Sequence, residues 1–258
     1  MSSSPFRLDG KTVLISGAGG GIGRTLVRVF ADAGAKVIGA DRKSEDLEGL
    51  PIAGSVLFDQ ADAKSTRAAI SAYLEANGPL DGVVANAGFT RAEHFGHLDD
   101  DVWASEMAIN LNGAYALVDP ITQSMAEAGK GSIVFISSVN ALGHYGNPAY
   151  SAAKAGLVAY AKGIAIEYGE KGVRANTVAP GSVRTPAWDH RLAQDGTLLD
   201  NVLPHYPLGR MVSPTEVANA ALFLVSDAGS GVTGVTIPVD AGLTAGNLRF
   251  VDEVLRGR

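Results

Sequence analysis

Thr12-Val-Leu-Ile-Ser-Gly-Ala-Gly-Gly-Gly-Ile-Gly23 passes from a short apolar run directly into a cluster of glycines. The run Thr12–Ser16 reads as a buried strand, and the residues from Gly21 to Gly34 read as a helix. Glycines 17, 21 and 23 follow the spacing Gly-x-x-x-Gly-x-Gly. Glycine there lets the backbone turn tightly and approach a pyrophosphate, while the helix N-terminus offers N–H donors and positive dipole. A glycine-rich helix cap is the plainer alternative; the strand–turn–helix context favours phosphate binding.

Outward from this unit, apolar runs alternate with helical patterns. Strands are expected at Lys36–Ala40, Ser55–Phe58, Asp81–Asn86, Ser132–Ser137, Val173–Val178 and Val235–Val239. Helices are expected at Ala63–Ala76, Asp100–Ala128, Pro148–Tyr168 and Pro214–Ser226. Strands without strict alternation imply a sheet covered on both faces. The alternation of strand and helix implies α/β architecture, a doubly wound, mainly parallel, seven-stranded sheet in a single domain over 1–258. The stretch Thr185–Leu208 interrupts the rhythm with Pro186, Pro204 and Pro207, and reads as a substrate lid.

The 258 residues are 46% hydrophobic and 19% charged, enough apolar material for a large core. A net charge of −6 with no basic stripe argues against nucleic-acid binding. There is no cysteine, which excludes disulfides and thiolate metal sites. The five histidines show no ligand spacing, so no metal is expected. The N-terminus lacks a signal-like apolar stretch, and no apolar run reaches membrane-spanning length. A cytoplasmic protein is the expectation.

Asp41 follows the second strand, 18 residues after Gly23. A carboxylate there accepts hydrogen bonds from ribose hydroxyls and repels a 2′-phosphate, which favours NAD over NADP. Arg42 beside it is of the type that grips a 2′-phosphate. Tyr150 and Lys154 are four residues apart on an expected helix, so the ammonium can lie beside the phenol. Such a charge is expected to lower the phenol's pKa by roughly 1–3 units and ready it for proton transfer.

Together these pieces resemble the short-chain dehydrogenase/reductase family over Lys11 to Gly246. The matching motifs are Ser16-Gly17-x-x-x-Gly21-Ile22-Gly23, Asp59, Asn86-Ala87-Gly88, Asn110, Ser137-Ser138, Tyr150-x-x-x-Lys154, Pro180-Gly181, Val183-x-Thr185 and Val239–Gly246. Ser16 replaces a usual threonine and Ala85 a usual asparagine. Ser138 precedes Tyr150 by 12 residues and Ser137 by 13, so either serine is a candidate, with Ser138 preferred. The resemblance implies Tyr150 as general acid/base, Lys154 as its pKa-lowering partner and a ribose ligand, Ser138 as the holder of the substrate oxygen, and Asn110 as the anchor of a relay water. It also implies that Asp59 and Gln60 face adenine, that the Asn86–Gly88 backbone meets the adenosine side, and that Pro180, Gly181, Val183 and Thr185 hold the carboxamide end. The cofactor-binding half spans about 1–130, the catalytic and substrate-binding half about 131–258, and a homotetramer is expected through the helices at 100–128 and 148–168.

The substrate region is expected to comprise Phe89–Phe95, Ser138–Tyr145 and Thr185–Tyr206, with Arg91, His94, Asn140, His144, Arg184, Trp188 and Arg191 as candidate contacts. These residues suggest a polar, hydroxylated substrate, neutral or anionic: a sugar, sugar acid or sulfonated sugar. Thr185-Pro-Ala-Trp188 and Pro207-Leu-Gly-Arg-Met-Val-Ser-Pro214 are similar to segments of sugar-oxidising members. The alternatives are a carbonyl reductase of the 3-oxoacyl-thioester type and a non-catalytic dinucleotide-binding regulator.

Overall fold

Seven strands form one sheet in the order β3-β2-β1-β4-β5-β6-β7. They are β1 (Thr12–Ser16), β2 (Lys36–Asp41), β3 (Gly54–Leu57), β4 (Gly82–Ala85), β5 (Gly131–Ile136), β6 (Val173–Pro180) and β7 (Thr236–Val239). All pairings between them are parallel. The computed structural model describes residues 4–91 and 94–257, except the side chains of residues 187, 190 and 191.

The side chains of β1 show why the strands lack a polar face. Val13 and Ile15 point into one core with Leu26, Val27 and Phe30 of α1 (Gly23–Asp32). Leu14 points the other way, into a second core with Ile70 of α2 (Ala63–Asn77). Successive side chains of a strand alternate between faces, so a sheet covered on both sides needs apolar residues at every position.

The expected helix over Asp100–Ala128 is three consecutive segments: α3 (Asp100–Met107), a π-helical turn (Ala108–Asn112) and α4 (Gly113–Glu127). The Asp99 carboxylate caps α3 by accepting from Val102 N–H at 2.7 Å. At the π turn, Gly113 N–H reaches back to the Ala108 carbonyl. This widening places Asn110 inward, wholly buried. α5 runs over Pro148–Tyr168 and is launched by Asn147 in the left-handed region (φ +51°). The stretch after β6 holds two short helices, α6 (Pro186–Gln194) and α7 (Leu198–Val202), before α8 (Pro214–Val225) packs against α1.

The chain crosses from the β3 edge back to β4 beside β1, so the strand order reverses between β1 and β4. A crevice opens at the carboxyl ends of strands at such a point. The glycine turn after β1 and Asn86–Gly88 after β4 flank it. Gly113 presses α4 against this region: a Cβ there would lie 2.5 Å from Gln60 Cγ and would strike the Gln60 carbonyl. Gly113→Ala should therefore destabilise the fold by about 1–3 kcal/mol, read as a lower urea midpoint at unchanged m-value.

Candidate active site

The crevice encloses about 720 Å³ and is lined by Gly17, Gly19–Gly21, Ile22, Asp41, Arg42, Asp59, Gln60, Asn86–Gly88 and Thr185, among others. Gly17 turns with φ +63°, and a Cβ on it would lie 2.8 Å from the Ala87 backbone. A Cβ on Gly21 would lie 2.9 Å from Thr185. No side chain caps α1; Arg24 and Thr25 N–H bond to the Gly20 and Ile22 carbonyls, and Gly20–Ile22 at the positive end of the helix line the crevice. The Asn86 amide fastens the turn by donating to the Ser16 and Gly17 carbonyls at 3.0 and 3.1 Å. A glycine cradle against an uncapped helix start fits a dinucleotide pyrophosphate.

Asp41 Oδ2 accepts from Gly19 N–H at 2.8 Å, which aims the carboxylate into the crevice. Gln60 is buried. Its amide nitrogen bridges the Ala87 and Ile109 carbonyls, while Oε1 has no hydrogen-bond partner among the described residues. Ser16 serves the framework: its Oγ accepts from Asn86 and Ala87 N–H, each at 3.1 Å, and does not line the crevice. Gly23 also stands behind the wall, where a Cβ would collide with the Gly17 carbonyl.

A second cavity of about 760 Å³ adjoins the crevice, and Ile22 and Thr185 line both. Ser138, Asn140, Tyr150, Gly181, Val183 and Trp188 also line it. The two serines separate clearly here. Ser137 Oγ donates to the Lys154 carbonyl at 2.9 Å and is buried behind β5. Ser138 and Tyr150 both face the cavity, and Ser138 Oγ donates to Asn140 Oδ1 at 3.2 Å. The Asn140 amide is itself set by the Gly146 carbonyl and Ser151 Oγ, so its oxygen is directed at Ser138.

Lys154 is buried, and its Nζ donates to the Ile136 carbonyl at 2.9 Å. Nζ also lies 5.5 Å from the centre of the Tyr150 ring. The expected lowering of the Tyr150 pKa is not what the free chain shows. Burial pushes the phenol up to about 12; the Ser138 hydroxyl opposes this and the negative charge of Glu106 adds to it. The i,i+4 spacing places Lys154 over the ring and bonds it to a carbonyl, so loss of water around the hydroxyl prevails. Burial likewise brings Lys154 down to about 8, partly offset by Glu106.

Asn110 is tied into its surroundings on several sides. Its Nδ2 donates to the Phe89 and Glu106 carbonyls and to Glu106 Oε2, at 2.7, 3.0 and 2.9 Å, while Oδ1 accepts from Phe89 N–H. The amide thus braces backbone as well as facing Lys154. A Cβ on Gly88 would lie 2.8 Å from Asn110 Oδ1 and 3.0 Å from Lys154 Nζ, so glycine keeps open the gap between them.

Of the expected substrate contacts, Asn140 and Trp188 reach the cavity, whereas Arg91, His94, His144 and Arg184 do not line it. Arg184 is exposed and pairs with Asp189 at 2.7 Å. His94 packs on His97, and His144 on Phe95, at the surface. The Arg191 and His190 side chains, and residues 92 and 93, lie outside the described residues. Pro180 ends β6 and lines neither cavity.

A family model described as enoyl-(acyl carrier protein) reductase matches residues 17–244. The structure of an oxidoreductase of the short chain dehydrogenase/reductase family from Burkholderia thailandensis superposes with a TM-score of 0.88 at 42% identity, covering 95% of this chain and 97% of that one. The chain belongs to the short-chain dehydrogenase/reductase family. D-threitol dehydrogenase of Mycolicibacterium smegmatis is 37% identical over 248 residues, 93% of this chain and 95% of the relative. A gluconate 5-dehydrogenase from Burkholderia cenocepacia, solved with NADP and tartrate, is 33% identical with a TM-score of 0.87, covering 94% and 98% of the two chains. The chemistry of this short-chain dehydrogenase/reductase fold is NAD(P)-dependent oxidoreduction of a hydroxyl or carbonyl group.

Sequence reasoning missed Glu106, although it stands four residues before Asn110, one helical turn away. It also missed Asn147 and Ser182 of the cavity wall. Their positions depend on how the loops fold back, which no local pattern encodes.

The depressed Lys154 pKa carries a stability consequence. Between about 8 and 10.5 the unfolded chain binds more protons than the folded one, so wild-type stability rises with pH across that window. Below it, the buried ammonium is a constant cost of about 3 kcal/mol, less what its hydrogen bond returns. Without nucleotide, Lys154→Met should melt above wild type at neutral pH, and the gap should shrink from about pH 8 to 10.5 in thermal scans.

Proposed function

We propose that this chain is an NAD-dependent dehydrogenase that interconverts a secondary alcohol, or a sugar hemiacetal, and its carbonyl on a polar, hydroxylated molecule. The observation that carries this reading is convergence: Ser138, Asn140 and Tyr150 face one cavity, with Lys154 behind them, across Ile22 and Thr185 from a glycine-cradled crevice. A nicotinamide dinucleotide bound in that crevice supplies the hydride acceptor or donor.

In this reading Ser138 holds the substrate oxygen, its hydroxyl oriented by Asn140. Tyr150 exchanges the proton at its phenolic oxygen, and Lys154 supplies positive charge behind it. Asn110 keeps its oxygen toward the gap beside Lys154. The free chain holds the phenol protonated, up to about 12, which suits donation to a carbonyl oxygen. Alcohol oxidation draws on the phenolate, so its rate should climb through the alkaline range while carbonyl reduction persists at neutral pH. The half over about 1–130 supplies most of the nucleotide crevice. The half over about 131–258 supplies the acid–base groups, and the lid over about 185–208 supplies Trp188 and much of the cavity wall.

The cavity lining carries no lysine, arginine, aspartate or glutamate among the described residues, while Thr90, Asn140, Asn147, Ser182 and Asn201 bring neutral donors and acceptors. This favours an uncharged polyol or sugar over an acid, and the D-threitol dehydrogenase relative is consistent with it. The second reading, a 3-oxoacyl-thioester reductase, draws on the description of the matching family model. The same reading places a homotetramer in the cytoplasm, joined through α3–α4 and α5, where Trp103, Tyr115 and Ile166 stand exposed.

A panel of tetritols, hexitols, aldonates and acetoacetyl thioesters, followed at the reduced-nicotinamide absorbance, tests the assignment. Turnover confined to thioesters would overturn the polyol reading. Tyr150→Phe should retain NADH binding and lose about 10²–10⁴-fold in kcat. Turnover at the wild-type rate would remove Tyr150 from the acid–base role. Asp41 should make NADH bind more tightly than NADPH. Asp41→Ala should narrow that gap about tenfold, the equivalent of about 1.4 kcal/mol, in fluorescence titrations.

A further inference from the structure

Glu106 is an ionisable side chain inside the protein that the mechanism above leaves without a role. It lies on α3, only 4% exposed. Its Oε1 accepts from Arg91 N–H at 2.8 Å and its Oε2 from Asn110 Nδ2 at 2.9 Å. None of the ion pairs among the described residues involves it. A carboxylate out of water is costly unless its charge is compensated. Two N–H donors compensate part of it. The nearby cation on the neighbouring helix is Lys154, reached across Asn110 and the gap at Gly88.

Besides Asn110 on the π turn, the groups around this gap come from four elements. α3 contributes Glu106, and α5 contributes Lys154 and Tyr150. β5 and its end contribute the Ile136 carbonyl and the hydroxyls of Ser137 and Ser138. The segment after β4 contributes the Gly88 backbone and the Phe89 and Arg91 N–H groups.

We propose that Glu106 is a positioning residue of the proton-transfer site, the buried counter-charge that keeps Lys154 an ammonium and, through Asn110, ties that charge to the segment entering the substrate region. The proposal rests on the Tyr150/Lys154 acid–base reading and adds to it a residue that touches neither substrate nor cofactor. The electrostatics agree in direction: Glu106 favours the protonated form of both Lys154 and Tyr150. The hydrogen bonds show how a change at residues 89–91 would reach Lys154, because Asn110 and Glu106 hold that backbone at three points.

The test follows Lys154 directly, by NMR of protein with isotope-labelled lysine ε-carbons, its signal assigned by its loss in Lys154→Met. In wild type the signal should titrate near about 8. Glu106→Gln, which keeps the size and the acceptor for Arg91 N–H, should lower that midpoint by about one unit or more and shift the high-pH limb of turnover to the same extent. A midpoint unmoved in a folded, NADH-binding Glu106→Gln protein overturns the proposal, even if activity falls. If glutamine prevents folding, wild type with labelled glutamate carboxyl carbons decides. The Glu106 carboxyl signal must move near about 8, where Lys154 loses its proton; absence of that step overturns the proposal. Failure of the acid–base reading is a separate result, seen as full turnover in Tyr150→Phe whatever Lys154 does.

Discussion

Removing an ammonium from water costs several kcal/mol unless its hydrogens and charge are met. Lys154, 3% exposed behind the sheet's carboxyl edge, imposes that requirement on its surroundings. β5 ends by turning the Ile136 carbonyl toward Nζ. The residue after it, Ser137, fastens α5 to the strand through the Lys154 carbonyl. Gly88 lacks a side chain because one would fill the space between Lys154 and Asn110. The π turn places Asn110 at that space, and the cap at Asp99 starts the helix that leads into it. Parts of the chain that are far apart in sequence are thus constrained by one group.

The elements that sequence periodicity located were those whose environment is uniform along their length. β1 and β5 lie between two helical layers, so their apolar runs mark them within a residue. Likewise α5, with Pro148 at its first turn, begins and ends where its pattern does. The π turn escaped notice because one extra residue per turn leaves the apolar spacing of a long helix nearly unchanged. Ser138 and Tyr150, which the family motifs single out, face one cavity; the glycine turn lines the adjoining crevice, where the Asn86 amide meets the Gly17 carbonyl.

The shortfalls have a common cause. Spacing fixes which residues are neighbours, but not how much water surrounds them. The pair Tyr150 and Lys154 is adjacent as expected, yet depth in the protein moves the phenol the opposite way. The arginines and histidines of the loops suggested a charged pocket; Arg184 pairs with Asp189, five residues along, and among the described residues the cavity is lined by His205 and uncharged groups. Ser16 occupies a motif position and still spends its hydroxyl on backbone N–H groups of the neighbouring strand end.

The two cavities share Ile22 and Thr185 as a common partition. A partition cannot shift for one compartment alone: an occupant that displaces Thr185 reshapes the far side as well. Linkage makes such an influence reciprocal, so each compartment's affinity depends on the other's contents by the same factor. Gly21 sets how stiff this partition is, because Thr185 packs where a Cβ on residue 21 would be. The glycine turn therefore does more than line the crevice: the space left at Gly21 fixes where the wall shared by the two cavities stands.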